Sequence, residues 1–448
     1  MCREFLCQKV YAYKGDFDGV LLERALTGIV IKCFRIGGVS VKVVVAIDSW
    51  KGSLGSLEAG ASIAEAVHRV FPEAEVLVRP LADGGEGTVE ALTLGMNGRM
   101  ETVQVTGSLG TSVEASYGII EESKEGCVER EDGAEQESCD RTMERTKTAI
   151  IEMAAAAGIT LVDEKHRNPL DTTTFGVGEM ICDAIHKGCR KFIVGIGGSA
   201  TNDGGIGMLQ AFGFEFLNAN GKQVPFGAKG LAEIVTIIDE HVLPELKECE
   251  FKVACDVTNP LCGTQGCSAV YGPQKGATPA MIEDMDQWLF HYARLTKETY
   301  PHANWNQAGT GAAGGLGFAF LSYTNAVLES GIQILLEETR LESYIKAADI
   351  VITGEGRLDG QTVMGKAPIG VAAIAKKYGK PVLAFSGCVT EEVGVCNQYG
   401  IDAFFPVLRT VTTLEEAMEE EQAKRNLSAT VEQVFRLVKL LKNSDDYR

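Results

Sequence analysis

From Val41 onward, short apolar runs alternate with longer stretches in which apolar residues recur every three or four positions. VKVVVAI (41–47) is a nearly unbroken apolar run, the pattern of a strand covered on both faces. SLEAGASIAEAVHRVF (56–71) puts Leu57, Ile63, Ala64, Val67, Val70 and Phe71 on one helical face, with Ser56 as the expected cap. EVLVR (75–79) predicts a second strand, and a helix is expected from about Thr88. Runs at 101–106 and 113–120 predict a hairpin, so the sheet is not purely parallel. TAIIEMA (148–154), KFIVGI (191–196), FKVACDV (251–257), DIVITG (349–354) and PVLAFSG (381–387) predict further buried strands. Helices are expected near 175–187, 204–212, 280–299, 367–378 and 413–441. Alternation of this kind implies layered α/β domains.

Two segments break the rhythm. Residues 121–147 are mostly charged or small and read as a mobile insertion at a hairpin tip. Residues 1–40 carry no clear period and read as an N-terminal extension. They are either an ordered addition or the product of an upstream start codon, with Val41 as the true start.

The chain has 448 residues, 45% hydrophobic and 23% charged, enough for two or three domains. Its formal charge of −19 argues against nucleic acid or an anionic membrane as partner. An anionic substrate therefore needs a local cluster of donors. Thirteen cysteines include no CxxC pair. Cys249, Cys255, Cys262 and Cys267 fit no zinc spacing, so reduced thiols in a cytoplasm are expected. No apolar run is long enough for a membrane span, and the N-terminus does not read as a signal peptide.

Five strand ends share one character: DSWKGS (48–53), PLADGGEGT (80–88), GGSATNDGG (197–205), DVTNPLCG (256–263) and TGEGRLDGQT (353–362). Ligands of open α/β sheets bind beyond the carboxyl ends of strands. Glycines let the backbone approach a ligand, and a following helix N-terminus offers N–H groups to anions. One such loop is more often a plain turn. Five, each with an Asp or Glu, suggest phosphate held through a divalent cation, and hence Mg²⁺ and a nucleotide. Lys51, Arg357 and Lys366 fall in or beside these loops, although solvated surface charge is the usual fate of lysine.

Motif matches are weak. GQTVMGKA (360–367) fits GxxxxGK, but Ala367 replaces the Ser or Thr that binds Mg²⁺ in a P-loop. GTGAAG (309–314) does not follow a strand. GIGGSA (195–200) does, and Glu215 stands at a ribose-binding interval, which is the best case for an NAD-dependent dehydrogenase. Against it, Asp203 would crowd the pyrophosphate. None of the six histidines lies in a strand-end loop, which weighs against a His relay. A non-catalytic ligand sensor lacks a DNA-binding signature. Phosphoryl transfer, which needs positioning, cations and one carboxylate, fits the inventory best.

Taken together, VAIDSWKGSL (45–54), PLADGGEGT (80–88), RNPLDTTTFGVGE (167–179), GIGGSATNDGG (195–205), DVTNPLCG (256–263), AGTGAAGGLG (308–317) and GEGRLDGQTVMGKAP (354–368) resemble the bacterial type-1 glycerate kinases. The resemblance runs from about Val41 to the C-terminal helix, and residues 1–40 and 121–147 depart from it. It implies ATP- and Mg²⁺-dependent phosphorylation of D-glycerate, with 2-phosphoglycerate favoured over 3-phosphoglycerate. A kinase for another small hydroxy acid would share the same loops. It also implies two dissimilar three-layer α/β domains flanking a cleft. One, 41–85 with 308–448, would hold a Rossmann-like, mainly parallel sheet. The other, 86–307, would be inserted and hold a mixed sheet. A homodimer is a further expectation.

Site roles follow from the same resemblance. Asp203 would accept the substrate hydroxyl proton or hold Mg²⁺, with Lys51 and Arg357 as catalytic cations. Ser199, Thr201 and Asn202 would orient substrate oxygens. Asp48, Ser49, Lys51 and Ser53 would form an anion-binding corner. Asp83, Gly84, Gly85 and Glu86 would contact substrate, with Asp83 and Glu86 also as Mg²⁺ ligands. Asp256, Thr258, Asn259, Gly354, Glu355, Gly356, Asp359 and Lys366 would hold the nucleotide. The plain alternative for each carboxylate is helix N-capping.

Overall fold

A computed structural model describes residues 40–81, 88–122 and 146–445. Residues 1–39, most of the expected insertion, and Asp83, Gly84, Gly85 and Glu86 lie outside the described residues. In chain order the strands are β1 (Lys42–Ile47), β2 (Glu75–Val78), β3 (Arg99–Thr106), β4 (Ser112–Glu122), β5 (Thr146–Glu152), β6 (Cys189–Gly195), β7 (Glu215–Leu217), β8 (Thr236–Ile238), β9 (Glu250–Ala254), β10 (Ala326–Glu329), β11 (Ile350–Leu358), β12 (Val382–Val389) and β13 (Ala403–Pro406).

The first sheet is wholly parallel, in the order β13-β12-β11-β1-β2. The chain winds outward from its centre in both directions, so β1 and β11 flank a topological switch point. The second sheet runs β10-β9-β6-β5-β4-β3. Its β5, β6, β9 and β10 are parallel, while β3 and β4 form the expected antiparallel hairpin. β7 and β8 make a separate ribbon.

Alternation along the strands divides the core. Val43, Val45 and Ile47 face α1 (Ser56–Val70) and the C-terminal helix Glu420–Asp445, which packs Leu427, Val431 and Phe435 against Ile63 and Val67. Val44 and Ala46 face the opposite way. On that side lie α2 (Thr88–Gly95), α3 (Gly331–Glu338) and α4 (Ala367–Lys377), and beyond them Ile150 and Ile193 of the mixed sheet. Val89 and Leu92 of α2 and Ile334 and Leu335 of α3 belong to the same apolar cluster as residues of both sheets. Full burial of such a side chain is worth about 1.5–3 kcal/mol, so this shared layer is a strong joint. The other face of the mixed sheet is covered by helices Phe175–His186 and Leu316–Tyr323, with helix Pro279–Thr299 packed outside them through Tyr292 against Phe318.

Several local expectations change. Ser56 is the first helical residue rather than the cap; the Glu58 carboxylate accepts the Gly55 N–H at 2.8 Å instead. Helix 413–441 is two helices, Leu414–Met418 and Glu420–Asp445. Segment 308–329, expected with the parallel sheet, goes with the mixed one, because Ala326 to Glu329 pair with Phe251 to Ala254. The stretch Glu355 to Leu358, expected as loop, is strand: Arg357 pairs with Cys388 and Leu358 with Val389. Among the described residues, no helix is long and apolar enough to cross a membrane.

Candidate active site

A cavity of about 470 Å³ opens beyond the carboxyl ends of β1, β11, β12 and β13, at the switch point. Its polar side is built by the β1 loop and the strand extension of β11. Asp48 is buried, with its Oδ1 accepting the Ser49 N–H at 2.6 Å. Lys51 and Ser53 line the same space, and Trp50 lies buried beneath them. Opposite stand Glu355, Gly356, Arg357, Asp359 and Lys366. Lys366 Nζ lies 3.3 Å from Glu355 and 3.7 Å from Asp359, and Arg357 Nε lies 3.6 Å from Asp359. Glu355 also accepts the Thr362 hydroxyl at 2.8 Å. Burial lifts the Glu355 carboxyl above its ordinary range, against the pull of Thr362 and Lys366. Asp359 accepts the N–H groups of Gln361 and Thr362, which shapes the turn that feeds α4. Leu408, Leu414 and Met418 supply an apolar wall.

Gly354 lies under this floor. A Cβ there would stand 1.8 Å from the Phe385 carbonyl oxygen, so only glycine lets β11 and β12 run side by side into the cavity.

A second cavity, of about 330 Å³, lies beyond the carboxyl ends of β6 and β9. Gly197, Gly198 and Ser199 form one side, and Cys255, Asp256, Tyr271, Gln274 and Lys275 the other. Asp256 Oδ1 accepts the Gly331 N–H at 3.1 Å, which places it at the head of α3. The head of α3 packs against the first turns of α4: a Cβ on Gly370 would stand 3.1 Å from Ile332. The helix that begins beside the second cavity and the helix that Lys366 caps in the first therefore start side by side.

The expected site residues regroup. Asp48, Ser49 and Ser53, expected on substrate, and Lys51 and Arg357, expected as catalytic cations, share one cavity with Glu355, Gly356, Asp359 and Lys366, expected on nucleotide. Ser199, expected on substrate, shares the other with Asp256, expected on nucleotide. Thr258 and Asn259 line neither; Asn259 ties its own loop, accepting from the Tyr271 hydroxyl and donating to the Gln265 carbonyl.

Thr201, Asn202 and Asp203 differ most from expectation, because all three are fully buried. Gly204 and Gly205, at φ +63° and +77°, turn the chain back under the loop. Gly314 presses on it so closely that a Cβ would lie 2.1 Å from the Thr201 carbonyl oxygen. Asn202 Nδ2 donates inward to Ser268 Oγ at 2.9 Å. Asp203 Oδ2 accepts both the N–H and the hydroxyl of Thr174, at 2.8 and 2.9 Å, and Oδ1 accepts the Gly205 N–H at 3.1 Å. Burial raises its carboxyl above the ordinary range, and these donors oppose that shift. The geometry does not support Asp203 as a proton acceptor or metal ligand: it holds the loop to the start of helix Phe175–His186.

Lys275 escaped sequence reasoning. It sits in YGPQKGA, away from any strand end, and nothing in that stretch marks it as unlike a surface lysine. Yet it is buried, donating to Ser199 Oγ at 2.7 Å and to the Thr201 carbonyl at 2.6 Å. Burial lowers its ammonium to about 8.

The dehydrogenase reading fails on geometry. After β6 the chain makes a loop through Asp203, and the next helix, Ile206–Ala211, begins too late for a GxGxxA turn. Glu215 lies in the separate ribbon and pairs with His241 at 3.0 Å. No histidine lines either cavity.

A family model described as the glycerate kinase family matches residues 43–439. A glycerate kinase of Haemophilus influenzae is 44% identical over 398 residues, 89% of this chain and 99% of its own length. A glycerate 2-kinase of Escherichia coli K12 is 45% identical over 396 residues, 87% of this chain and 98% of its own. A crystal structure described as a candidate glycerate kinase 2 from Salmonella typhimurium LT2 superposes with a TM-score of 0.78 at 43% identity, covering 90% of this chain and all of that one. With agreement over nearly the full length in sequence and in fold, the chain belongs to the glycerate kinase family.

Proposed function

We propose that the chain transfers the γ-phosphoryl group of ATP to a hydroxyl of D-glycerate, giving 2-phosphoglycerate in preference to 3-phosphoglycerate. The observation that carries this reading is the pair of cavities beyond the carboxyl ends of two sheets, joined by helices α3 and α4 that start side by side. The Escherichia coli relative is a glycerate 2-kinase, which favours the 2-hydroxyl.

Nucleotide is assigned to the larger cavity. Leu408, Leu414 and Met418 would cover the base, and Lys51, Arg357 and Lys366 would meet the phosphates. Glycerate is assigned to the glycine-loop cavity, with Ser199 and the Gly197 and Gly198 backbone turned to its oxygens. The helix N-termini between them favour the negative charge that gathers during transfer. In the step, the hydroxyl oxygen bonds to phosphorus, the bond to the bridging oxygen of ADP breaks, and the hydroxyl proton departs. Among the described residues, Asp256 is the carboxylate lining that cavity, and it is exposed to take it.

Among the described residues, no group of three or more His, Cys, Asp or Glu could hold a metal ion by itself. Mg²⁺ in kinases rests mainly on phosphate and water and needs only one or two carboxylates. Glu355 and Asp359 fit that demand and would hold it; the ion would neutralise phosphate charge. Asp83 and Glu86, expected as its ligands, lie outside the described residues.

The direct test is incubation with Mg-ATP and D-glycerate, with the product read by ³¹P NMR. A 2-phosphoglycerate signal is expected. A 3-phosphoglycerate signal would reverse the regiochemistry, and no phosphoglycerate at all would refute the reading. Replacing Lys51 by Ala is expected to raise the ATP KM about tenfold or more, the worth of one charge-assisted hydrogen bond, and to leave the glycerate KM nearly unchanged. The reverse pattern would exchange the two cavities.

A further inference from the structure

Among the described residues, the glycine-loop cavity has one cationic side chain in its wall, and that side chain is Lys275. Lysine is almost never fully buried unless paired. Here only 2% of it is exposed, and its two hydrogen-bond partners are a hydroxyl and a carbonyl, both neutral. Among the described residues, no carboxylate stands within ion-pair distance of it. Neutral acceptors offset only part of the cost of burying an ammonium. A purely structural tie between Ser199 and Thr201 would need no charge. Gly276, next in the chain and at φ +91°, lies hard against Arg167: a Cβ there would come within 2.2 Å of the Arg167 carbonyl oxygen, so the backbone beside the lysine is closely packed.

We propose that Lys275 recognises the carboxylate of the hydroxy-acid substrate, so that the ion pair missing from the protein is completed by the ligand. This rests on the assignment of glycerate to this cavity. Lys275 then acts as a specificity residue: it favours small hydroxy acids over neutral polyols such as glycerol. It also holds Ser199 Oγ in place through the same ammonium, which couples carboxylate binding to the glycine loop.

The titratable groups around Lys275 are known. Cys267 and Asp203 act on its charge, and Cys255, Asp256 and Tyr271 share its cavity. The thiols of Cys255 and Cys267 and the phenol of Tyr271 are all raised above their ordinary values by burial. Burial acts the other way on Lys275, bringing its ammonium down to about 8.

The experiment is steady-state kinetics of the full chain, with glycerate and ATP varied separately. Lys275→Met is expected to raise the glycerate KM roughly 10–100-fold, the worth of one charged hydrogen-bonded contact, with the ATP KM little changed. Lys275→Arg is expected to recover part of that loss. A raised ATP KM with an unchanged glycerate KM would assign the charge to nucleotide phosphate and overturn the proposal. Unchanged values for both substrates with lowered thermal stability would reduce Lys275 to a structural tie. A second arm needs no variant. In the unsubstituted enzyme, the glycerate KM should stay level near neutral pH and climb above about pH 8, while the ATP KM stays flat. A glycerate KM that stays level across the whole range in which a lysine ammonium is lost, through its ordinary value of about 10.4, would overturn the proposal even if the variants do not fold. Activity of the unsubstituted enzyme on glycerate separates failure of this inference from failure of the kinase reading.

Discussion

Asp203→Asn is expected to cost the protein about 3–5 kcal/mol of stability, the usual result of breaking a buried, fully bonded charged group. The Asp203 carboxylate accepts from Thr174 twice and from Gly205 once, and none of it reaches solvent. An asparagine keeps the shape but brings an NH₂ group where an acceptor is needed. Whichever way the amide turns, donors face a donor without an intervening acceptor. Urea unfolding checks this directly, through a lowered midpoint. The rival outcome is equally clear. A variant with an unchanged midpoint and collapsed turnover would return Asp203 to the chemistry and show that this loop opens during the reaction.

Gly354→Ala is expected to be as damaging, for a steric reason. Its Cβ would meet the Phe385 carbonyl oxygen at 1.8 Å, and that oxygen is backbone, which cannot rotate aside. Either β11 and β12 separate or their paired extension is lost. Overpacking and backbone strain together put the cost at about 2–5 kcal/mol. Because Glu355 and Arg357 follow on the same strand and Asp359 lies just past its end, the ATP KM should rise in whatever protein still folds. A soluble variant with unchanged unfolding midpoint and ATP KM would show that the two strands separate there at no cost.

The contrast between these two positions shows what the sequence makes legible. Strands buried on both faces announce themselves, as VKVVVAI and KFIVGI do, because each face needs apolar side chains. The α/β alternation, the β3–β4 hairpin and the strand-end loops follow from that. What escapes is anything decided by long-range packing. AVLE (326–329) is too short to declare which sheet it joins. GEGR reads as loop because glycine usually ends a strand, yet here Gly354 is what lets the strand continue. Asp203 sits among glycines and hydroxyl residues, a composition shared by ligand loops and by self-bonded turns; only the direction of its carboxylate separates them. Lys275 is hidden by the reverse problem, since lysine in a polar loop is ordinarily solvated. Grouping of the loops by cavity was not legible either, because it depends on which strands are neighbours in each sheet.

The layer formed by α2, α3 and α4 belongs to neither sheet alone, since its side chains complete the cores of both. The chain makes the passage between sheets twice, once through α2 and once through α3. Neither half is therefore an independent module: cutting at the crossings would strip Ile150 and Ile193 on one side and Val44 and Ala46 on the other. The two cavities are thereby held in a common frame. A hinge movement between the two sheets would have to rearrange the apolar layer that both share.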